Sequence, residues 1–429
     1  MQRSRAFVAG VIACVVARHM LLTAQGADVF PVSVDHAAIQ YTTRTTSDAV
    51  AELNKKLQAG QAKLVFDGRL GYLRSVLAAL DVPIESQTLV YSPTSFQTEH
   101  ITEKTPRALY FNDTVAVGWV NGGDVLEVAA LDREQGEIFW ALAQKPQQQP
   151  QFVRSRQCLE CHLSTASTNG VPGLFVMSTL PLSDNQNDYA QGWTVDDRTP
   201  IEDRWGGWYV TGARAPARHL GNVPVNHVPR SYVRASVAPV LATVTGKVEA
   251  GSYLTPYSDV VSLLVLNHQA RMTNLLTRLG WEARLAAYNA PGRAASVTPR
   301  VRDAANDVVD YMLFVDEVNL PASVGGSSGF AEAFSKKGPR DNKGRSLRDL
   351  DLGRRLLRYR CSYMIYAPAF DALPALARET VYGRLWDILS GKESDKRYAQ
   401  FSVADRAAIV EILRDTKKGL PDYFQPLTR

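Results

Sequence analysis

The sequence is poor in cysteine. Its 429 residues contain four, Cys14, Cys158, Cys161 and Cys361. A small secreted domain that is held together by disulfides needs more cysteines, in an even number, and three remain here if Cys14 is removed or lipidated. The scarcity excludes a disulfide framework and indicates that these cysteines have another role.

Long apolar runs are also scarce. One run of twelve apolar or small residues, 6–17, follows a basic start, and no other stretch approaches the length that spans a bilayer. Small residues at Ala24 and Gly26 then offer a cleavage site before Ala27. This order is typical of a secretory signal peptide. The sequence therefore predicts a signal peptide over residues 1–26 and an exported, periplasmic protein.

The same segment allows a second interpretation. Residues 11–14, VIAC, resemble a bacterial lipoprotein signal, in which Cys14 is lipidated and anchors the chain to a membrane. The residues after Cys14 stay apolar, whereas a lipoprotein usually continues with a polar tether. Lipidation of Cys14 stays open as an alternative.

A strong net charge is absent as well. The formal charge is +5, and removal of the first 26 residues, which carry three arginines and no acid, leaves +2. Because no basic patch is present, a nucleic-acid partner is not expected. A hydrophobic content of 45% with 21% charged residues is ordinary for a globular protein, and the length suits two or three compact units.

What the sequence does contain is a single C-x-x-C-H motif, formed by Cys158, Cys161 and His162. A structural zinc ion needs four ligands, and the motif supplies at most three with no second Cys/His pair elsewhere. A thioredoxin-like dithiol follows a strand and opens a helix in a βαβ unit, whereas a Gln/Pro-rich stretch precedes this motif. Neither alternative fits the surrounding sequence.

The same motif matches the attachment site of a c-type haem. Two cysteines at this spacing form thioethers with the haem vinyl groups, and the following histidine becomes the proximal iron ligand. The export signal agrees with this interpretation, since bacteria attach haem c outside the cytoplasmic membrane. The sequence predicts one covalent haem c, bound by Cys158 and Cys161, with His162 on the iron.

The sixth iron ligand decides between a carrier and a catalyst. The main candidates are His268, within an apolar helical stripe, and His219, in a glycine-flanked loop. Met177 and His227 are weaker candidates, because a methionine in an apolar strand is most simply a core residue. A buried core histidine and a capping loop histidine are the plain alternatives for the first two.

An aromatic stretch follows the motif. Arg204, Trp205 and Trp208 are concentrated enough to predict one side of a haem pocket, with the arginine near a propionate and the indole rings over the porphyrin. Ordinary packing of an aromatic strand explains the same residues equally well.

The periodicity along the chain predicts an α+β protein with N-terminal helices, an antiparallel β meander, a central loop-rich haem segment and a C-terminal helical region. The expected units after the signal peptide are a β-rich N-terminal domain over 27–150, a haem-binding segment over 151–250 and a mainly helical domain over 251–429. The meander covers 107–142, and a solvated loop covers 325–345. Helices are predicted over 47–61, 72–86, 258–280, 350–366, 375–391 and 402–419, the last with a capping box of Ser402 and Asp405.

Three stretches carry a resemblance to a known family: QCLECH at 157–162, RWGGWYVTG and RHLGN within 204–222, and the segment 355–391. Together they resemble a group of large exported bacterial proteins with one cytochrome c-type haem motif. The resemblance covers most of the mature chain and implies kinship rather than a particular reaction. Relatives tend to read His-Met where this chain has His219-Leu220, and often carry a histidine where it has Ala213-Arg214.

The function that the sequence favours is one-electron transfer in a periplasmic electron-transport chain, with periplasmic or membrane-bound redox proteins as partners. The alternative is a haem enzyme or a gas or redox sensor, for example peroxidase-like, with an open distal iron. A third interpretation makes residues 27–150 a docking module for a membrane partner. An electron carrier is favoured over a catalyst.

Overall fold

A computed structural model describes residues 29–179, 192–216, 218–223 and 241–427. The predicted signal peptide, Cys14 and His227 lie outside these residues. The described chain is an α+β protein. Its helices are α1 (Ala49–Gln58), α2 (Leu73–Ala79), α3 (Leu159–His162), α4 (Thr165–Thr168), α5 (Val260–Tyr288), α6 (Pro299–Met312), α7 (Phe330–Lys336), α8 (Pro368–Asp371), α9 (Ala375–Leu389) and α10 (Val403–Thr416). Its strands are β1 (Thr88–Val90), β2 (Arg107–Phe111), β3 (Val115–Trp119), β4 (Val125–Asp132), β5 (Gly136–Ala143), β6 (Val153–Arg154), β7 (Val176–Thr179) and β8 (Gly192–Val195).

Strands β1 to β6 form one antiparallel sheet in chain order, and β7 pairs with β8 in a second, two-stranded sheet. The meander predicted over 107–142 corresponds to β2–β5. Its register places Ala116 opposite Ala129, and Ala129 opposite Phe139. Since side chains alternate along a strand, these three residues share one face of the sheet.

The two faces of the large sheet have different partners. One face packs against α1 and α2, where Val50, Leu53 and Leu57 are buried as the helical spacing predicted. Helix α1 begins at Asp48, whose carboxylate accepts hydrogen bonds from the N–H groups of Val50 and Ala51 at 3.0 Å each. The opposite face turns toward α5 and toward the segment that carries the C-x-x-C-H motif.

Helix α5 is the longest element, with 29 residues and a length of about 43 Å. It begins at Asp259, which accepts hydrogen bonds from the N–H groups of Val261 and Ser262. The predicted end at Gly280 is wrong, since the helix continues to Tyr288. Burial of the helix on several sides outweighs the low helix propensity of one glycine. None of the helices among the described residues is long and apolar enough to cross a membrane.

The C-terminal third agrees with the sequence in part. Helices α9 and α10 lie where predicted, and the capping box of Ser402 and Asp405 is confirmed. The helix predicted over 350–366 is wrong, because this segment is irregular and ends in a 3₁₀ turn, Tyr363–Tyr366. Part of the loop predicted over 325–345 is helix α7, which buries Phe330 and Phe334.

One of the buried clusters crosses the predicted unit boundaries. A single buried cluster joins Val90 and Phe111 of the sheet, Trp208 of the central segment, and apolar residues of α5, α6, α9 and α10. Strand β6 lies beyond position 150 and still pairs with β5. The central segment therefore packs directly on the N-terminal sheet and on the C-terminal helices.

A cavity built around the C-x-x-C-H motif

Cys158, Cys161 and His162 all line one cavity of about 430 Å³, which we call the motif cavity. This volume lies in the range of small-molecule and cofactor sites. Its other sides come from the large sheet, from β7 and from α5. The lining is mainly apolar and includes Leu109, Phe111, Ala116, Gly118, Ala129, Phe139, Leu174, Phe175, Val176, Trp208, Leu266 and Ala270.

Small residues on the sheet make room for the cavity. Ala116, Gly118 and Ala129 lie on the same sheet face, where large side chains would otherwise fill the space. A Cβ atom added at Gly118 would lie 3.3 Å from the Cδ2 atom of Leu109 and 3.3 Å from a carboxylate oxygen of Glu127. The sheet thus provides a shallow apolar surface that a side chain at Gly118 would obstruct.

The motif itself forms one helical turn. The N–H of His162 donates a hydrogen bond to the carbonyl of Cys158 at 2.9 Å, which closes α3 around the motif. Cys158 is partly buried, and burial raises the pKa of its thiol; Cys161 is exposed. A redox-active dithiol needs a readily formed thiolate, so the raised pKa of Cys158 disfavours that alternative.

The imidazole of His162 is oriented by a backbone group. Its Nδ1 lies 2.9 Å from the carbonyl oxygen of Gly173, which can only accept, so Nδ1 carries the proton and Nε2 keeps its lone pair. His162 is half-buried, and burial among protein groups lowers its pKa and favours the neutral form. Phe139 and Phe175 flank the ring at 4.9 and 5.3 Å between centroids. A neutral histidine with a fixed tautomer is suited to metal ligation.

One ion pair lines the cavity. Arg107 donates from Nη1 to Glu127 at 3.1 Å, and Glu127 also accepts hydrogen bonds from Ser95 and Gln97. Burial acts to raise the pKa of Glu127, but the Arg107 charge and these hydrogen bonds outweigh it and lower the pKa. The Nε–H of Arg107 is buried and has no hydrogen-bond partner among the described residues. Arg107 as a residue lines the motif cavity, so its guanidinium is a cation beside any anionic group that binds there.

Replacing Arg107 with methionine should destabilise the protein by about 2 kcal/mol at pH 7, between the values typical of exposed and buried pairs. The pair contributes stability above the usual glutamate pKa of 4.5 and loses it as pH falls through the lower pKa of folded Glu127. Urea unfolding at neutral and acidic pH measures the difference, which should shrink at acidic pH. The matched control is Arg74→Met, which removes an exposed ion pair with Asp67 and should cost less than about 1 kcal/mol. An equal cost in both variants would contradict this account.

Met177, one of the weaker candidates from sequence for the sixth ligand, lines the motif cavity. Strand β7 positions it opposite Thr194, and its carbonyl accepts a hydrogen bond from the indole N–H of Trp208 at 2.8 Å. Among the described lining residues it is the one methionine, and its thioether is a known haem ligand. The pattern LFVMST could have raised its weight, since alternation in a strand puts Phe175 and Met177 on one face.

His268 does not reach the cavity. Its Nδ1 lies 2.6 Å from Asp197, its Nε2 lies 2.6 Å from the hydroxyl of Ser362, and the ring stacks on Tyr311 and Phe314. Both nitrogens are thus engaged in a fully buried hydrogen-bond network. This arrangement disfavours His268 as the sixth iron ligand and corresponds to the satisfied core histidine.

His219 does not line the cavity either. It packs edge-to-face on Trp205 at 5.6 Å between ring centroids, and burial lowers its pKa to about 4. Neither ring nitrogen has a hydrogen-bond partner among the described residues. The structure therefore does not bring together His219 and the motif.

Of the three residues predicted for one side of a haem pocket, one lines the motif cavity. Trp208 lines the motif cavity. Arg204 is buried and donates to the carbonyl groups of Thr199 and Asp197, and Trp205 packs in the core. The arginine at the cavity is Arg107, from a strand that is distant in sequence from the motif.

Comparisons with protein-family models, curated proteins and solved structures find no match to this chain. Within the described part of the chain, no group of three or more His, Cys, Asp or Glu side chains could hold a metal ion. The donor set at the motif fits haem c: two thiols, one neutral imidazole, an apolar surface and a buried arginine N–H that lacks a partner.

Proposed function

We propose that the protein is an exported c-type cytochrome that transfers single electrons in a periplasmic electron-transport chain. One haem is bound covalently through Cys158 and Cys161, with His162 as the proximal iron ligand. The observation that carries the proposal is that these three side chains line one apolar cavity whose sheet surface is made of small residues. When bound, haem supplies an iron that alternates between the ferric and ferrous states.

The residues of the chain would have distinct roles toward the haem. His162 offers Nε2 to the iron, because its Nδ1–H is held by Gly173. Arg107, which lines the cavity, offers a positive charge to a haem propionate. Met177 is our candidate for the sixth ligand, in place of His268 and His219, because it lines the cavity.

The haem segment over 151–250 would then act together with both neighbouring units. It supplies the motif, Met177 and Trp208, while the N-terminal sheet supplies the surface around Gly118. Helix α5 closes the cavity with Leu266 and Ala270. Because three parts of the chain would build one haem site, a chain of this size would carry a single haem.

Exchange of electrons with a partner would use the rim of the cavity. Cys161 is exposed, and Phe96, which also lines the cavity, is 51% exposed. A haem edge that is reachable at this rim suits transient contact with a periplasmic or membrane-bound redox protein. Export itself is expected from residues 1–26.

The visible spectrum tests this function. The protein is produced in a host that matures c-type cytochromes, and ferric and ferrous spectra are recorded before and after addition of CO. Low-spin bands that do not change with CO are expected for a carrier with two protein ligands. Rapid CO binding by the wild-type protein would contradict the carrier and favour the haem enzyme or sensor with an open distal side.

A further inference from the structure

Glu137 is a buried carboxyl close to the motif cavity. Glu137 lies on β5 two residues before Phe139, so the side chains of Glu137 and Phe139 share one face of the sheet. The ring of Phe139 contacts the ring of His162. Glu137 lines a small cavity of about 10 Å³. The walls shared by this small cavity and the motif cavity are Phe111, Ala116, Leu174, Leu266 and Ala270. Glu137 is thus separated from the proposed haem by one layer of apolar side chains.

The backbone groups of Glu137 have hydrogen-bond partners, whereas one oxygen of its carboxyl has none. The carbonyl accepts a hydrogen bond from the Tyr41 hydroxyl at 2.6 Å, and the N–H donates to Pro172. Oε2 is buried and has no hydrogen-bond partner among the described residues. An unpartnered buried oxygen strongly disfavours the ionised form of a carboxyl.

The start of α1 adds a second reason. Asp48 accepts hydrogen bonds from two backbone N–H groups and from the indole N–H of Trp140. All three donors reach Oδ1, yet burial also raises the pKa of Asp48 itself, so Asp48 and Glu137 are two buried carboxyls that disfavour ionisation of each other. Burial first, and then Asp48, raise the pKa of Glu137 to about 8.

Within the described part of the chain, no opposite charge or hydrogen bond lowers the pKa of the Glu137 carboxyl. The Tyr41 hydroxyl is occupied by the Glu137 carbonyl, and Arg154 lies over the ring of Tyr41 and donates to the Tyr41 carbonyl. Helix α5 presents Gln269 and Thr273, which are uncharged, to the small cavity. The walls shared with the motif cavity are apolar. Glu137 therefore sits in a region of low effective dielectric, where a charge change nearby acts strongly.

We propose that Glu137 is a proton-binding site coupled to the oxidation state of the haem iron, so that in mildly alkaline solution reduction of the iron is accompanied by proton uptake. A one-electron donor supplies the electron that converts ferric to ferrous iron, and water supplies the proton that converts the Glu137 carboxylate to the carboxyl. Oxidation releases both. The charge added by the electron is thereby neutralised inside the protein. This inference rests on the proposed haem site.

Potentiometric titration of the haem-loaded protein tests the coupling. In the wild type, the midpoint potential should fall as pH rises through the Glu137 pKa of about 8. The slope should be steepest near this pKa and should not exceed about 59 mV per pH unit, the limit for one proton per electron. In Glu137→Gln the slope should vanish in this range. The matched control Glu134→Gln, in the exposed turn before β5, should keep the wild-type slope.

A wild-type potential that does not depend on pH, or an equal slope in Glu137→Gln, would overturn the inference. If the Glu137→Gln variant does not fold, the coupling is tested instead by redox-induced infrared spectroscopy of the wild type. Reduction near pH 8 should then increase the C=O stretch of a protonated carboxyl, and no change in that band would overturn the coupling. Absence of covalent haem, seen before any titration, would instead overturn the proposed function.

Discussion

Replacing both Cys158 and Cys161 with serine should reduce covalent haem to background, so that a denaturing gel stained for haem shows no band at the mass of the protein. A thioether needs the cysteine sulfur, and serine keeps the size of the side chain without it. Because the two thiols line one cavity with His162, no other described cysteine can replace them. The staining of equal amounts of wild-type and variant protein measures the effect.

The control is Cys361→Ala. This thiol is fully buried in the core, and burial raises its pKa to about 12, as expected of an inert structural cysteine. The variant should lose stability but keep full haem staining. A haem band in the double serine variant, or loss of haem in the Cys361 variant alone, would contradict attachment at the motif.

Replacing Met177 with leucine should open the sixth position of the iron. Leucine has nearly the same volume, so the fold should lose less than about 1.5 kcal/mol, but it has no sulfur to donate. The ferric spectrum should change from low spin to high spin, and CO binding to the ferrous form should rise from none to about one per haem. The midpoint potential should fall, since a thioether ligand raises it.

Met364→Leu is the matched control, because Met364 is buried in the core and does not line the motif cavity. It should leave the spectrum and the potential unchanged. If Met177→Leu stays low spin and does not bind CO, Met177 is not the ligand. The same measurement on His219→Gln then tests the histidine that has no hydrogen-bond partner among the described residues.

The motif residues of the candidate site could be predicted from sequence, because the spacing and order of C-x-x-C-H within residues 158–162 are enough to indicate a site. Cys158, Cys161 and His162 are adjacent along the chain, and one helical turn brings them together. Arg107 could not be predicted, since a strand 51 positions before Cys158 places it at the cavity. The sequence favoured Arg204, which is near the motif in the chain but bonds to backbone carbonyls in the core.

The helices were predictable where local signals agreed with packing. Helix α10 has both a capping box and an apolar face, and it was correctly placed. The segment 350–366 has an apolar pattern because it is buried, not because it is helical. Its residue Cys361 and its turn Tyr363–Tyr366 lie in the main core cluster, where tertiary contacts decide the backbone conformation. A single residue such as Gly280 is a poor indicator of where a helix ends, because α5 is packed over most of its length and continues past this glycine.

The most direct test is the mass of the tryptic peptide 157–198 from protein matured with haem. This peptide contains both cysteines of the motif and His162. The account predicts a peptide heavier by one haem, with both cysteines blocked to alkylation. An unmodified peptide with two free thiols, from a host that attaches haem to a control cytochrome c, would contradict it.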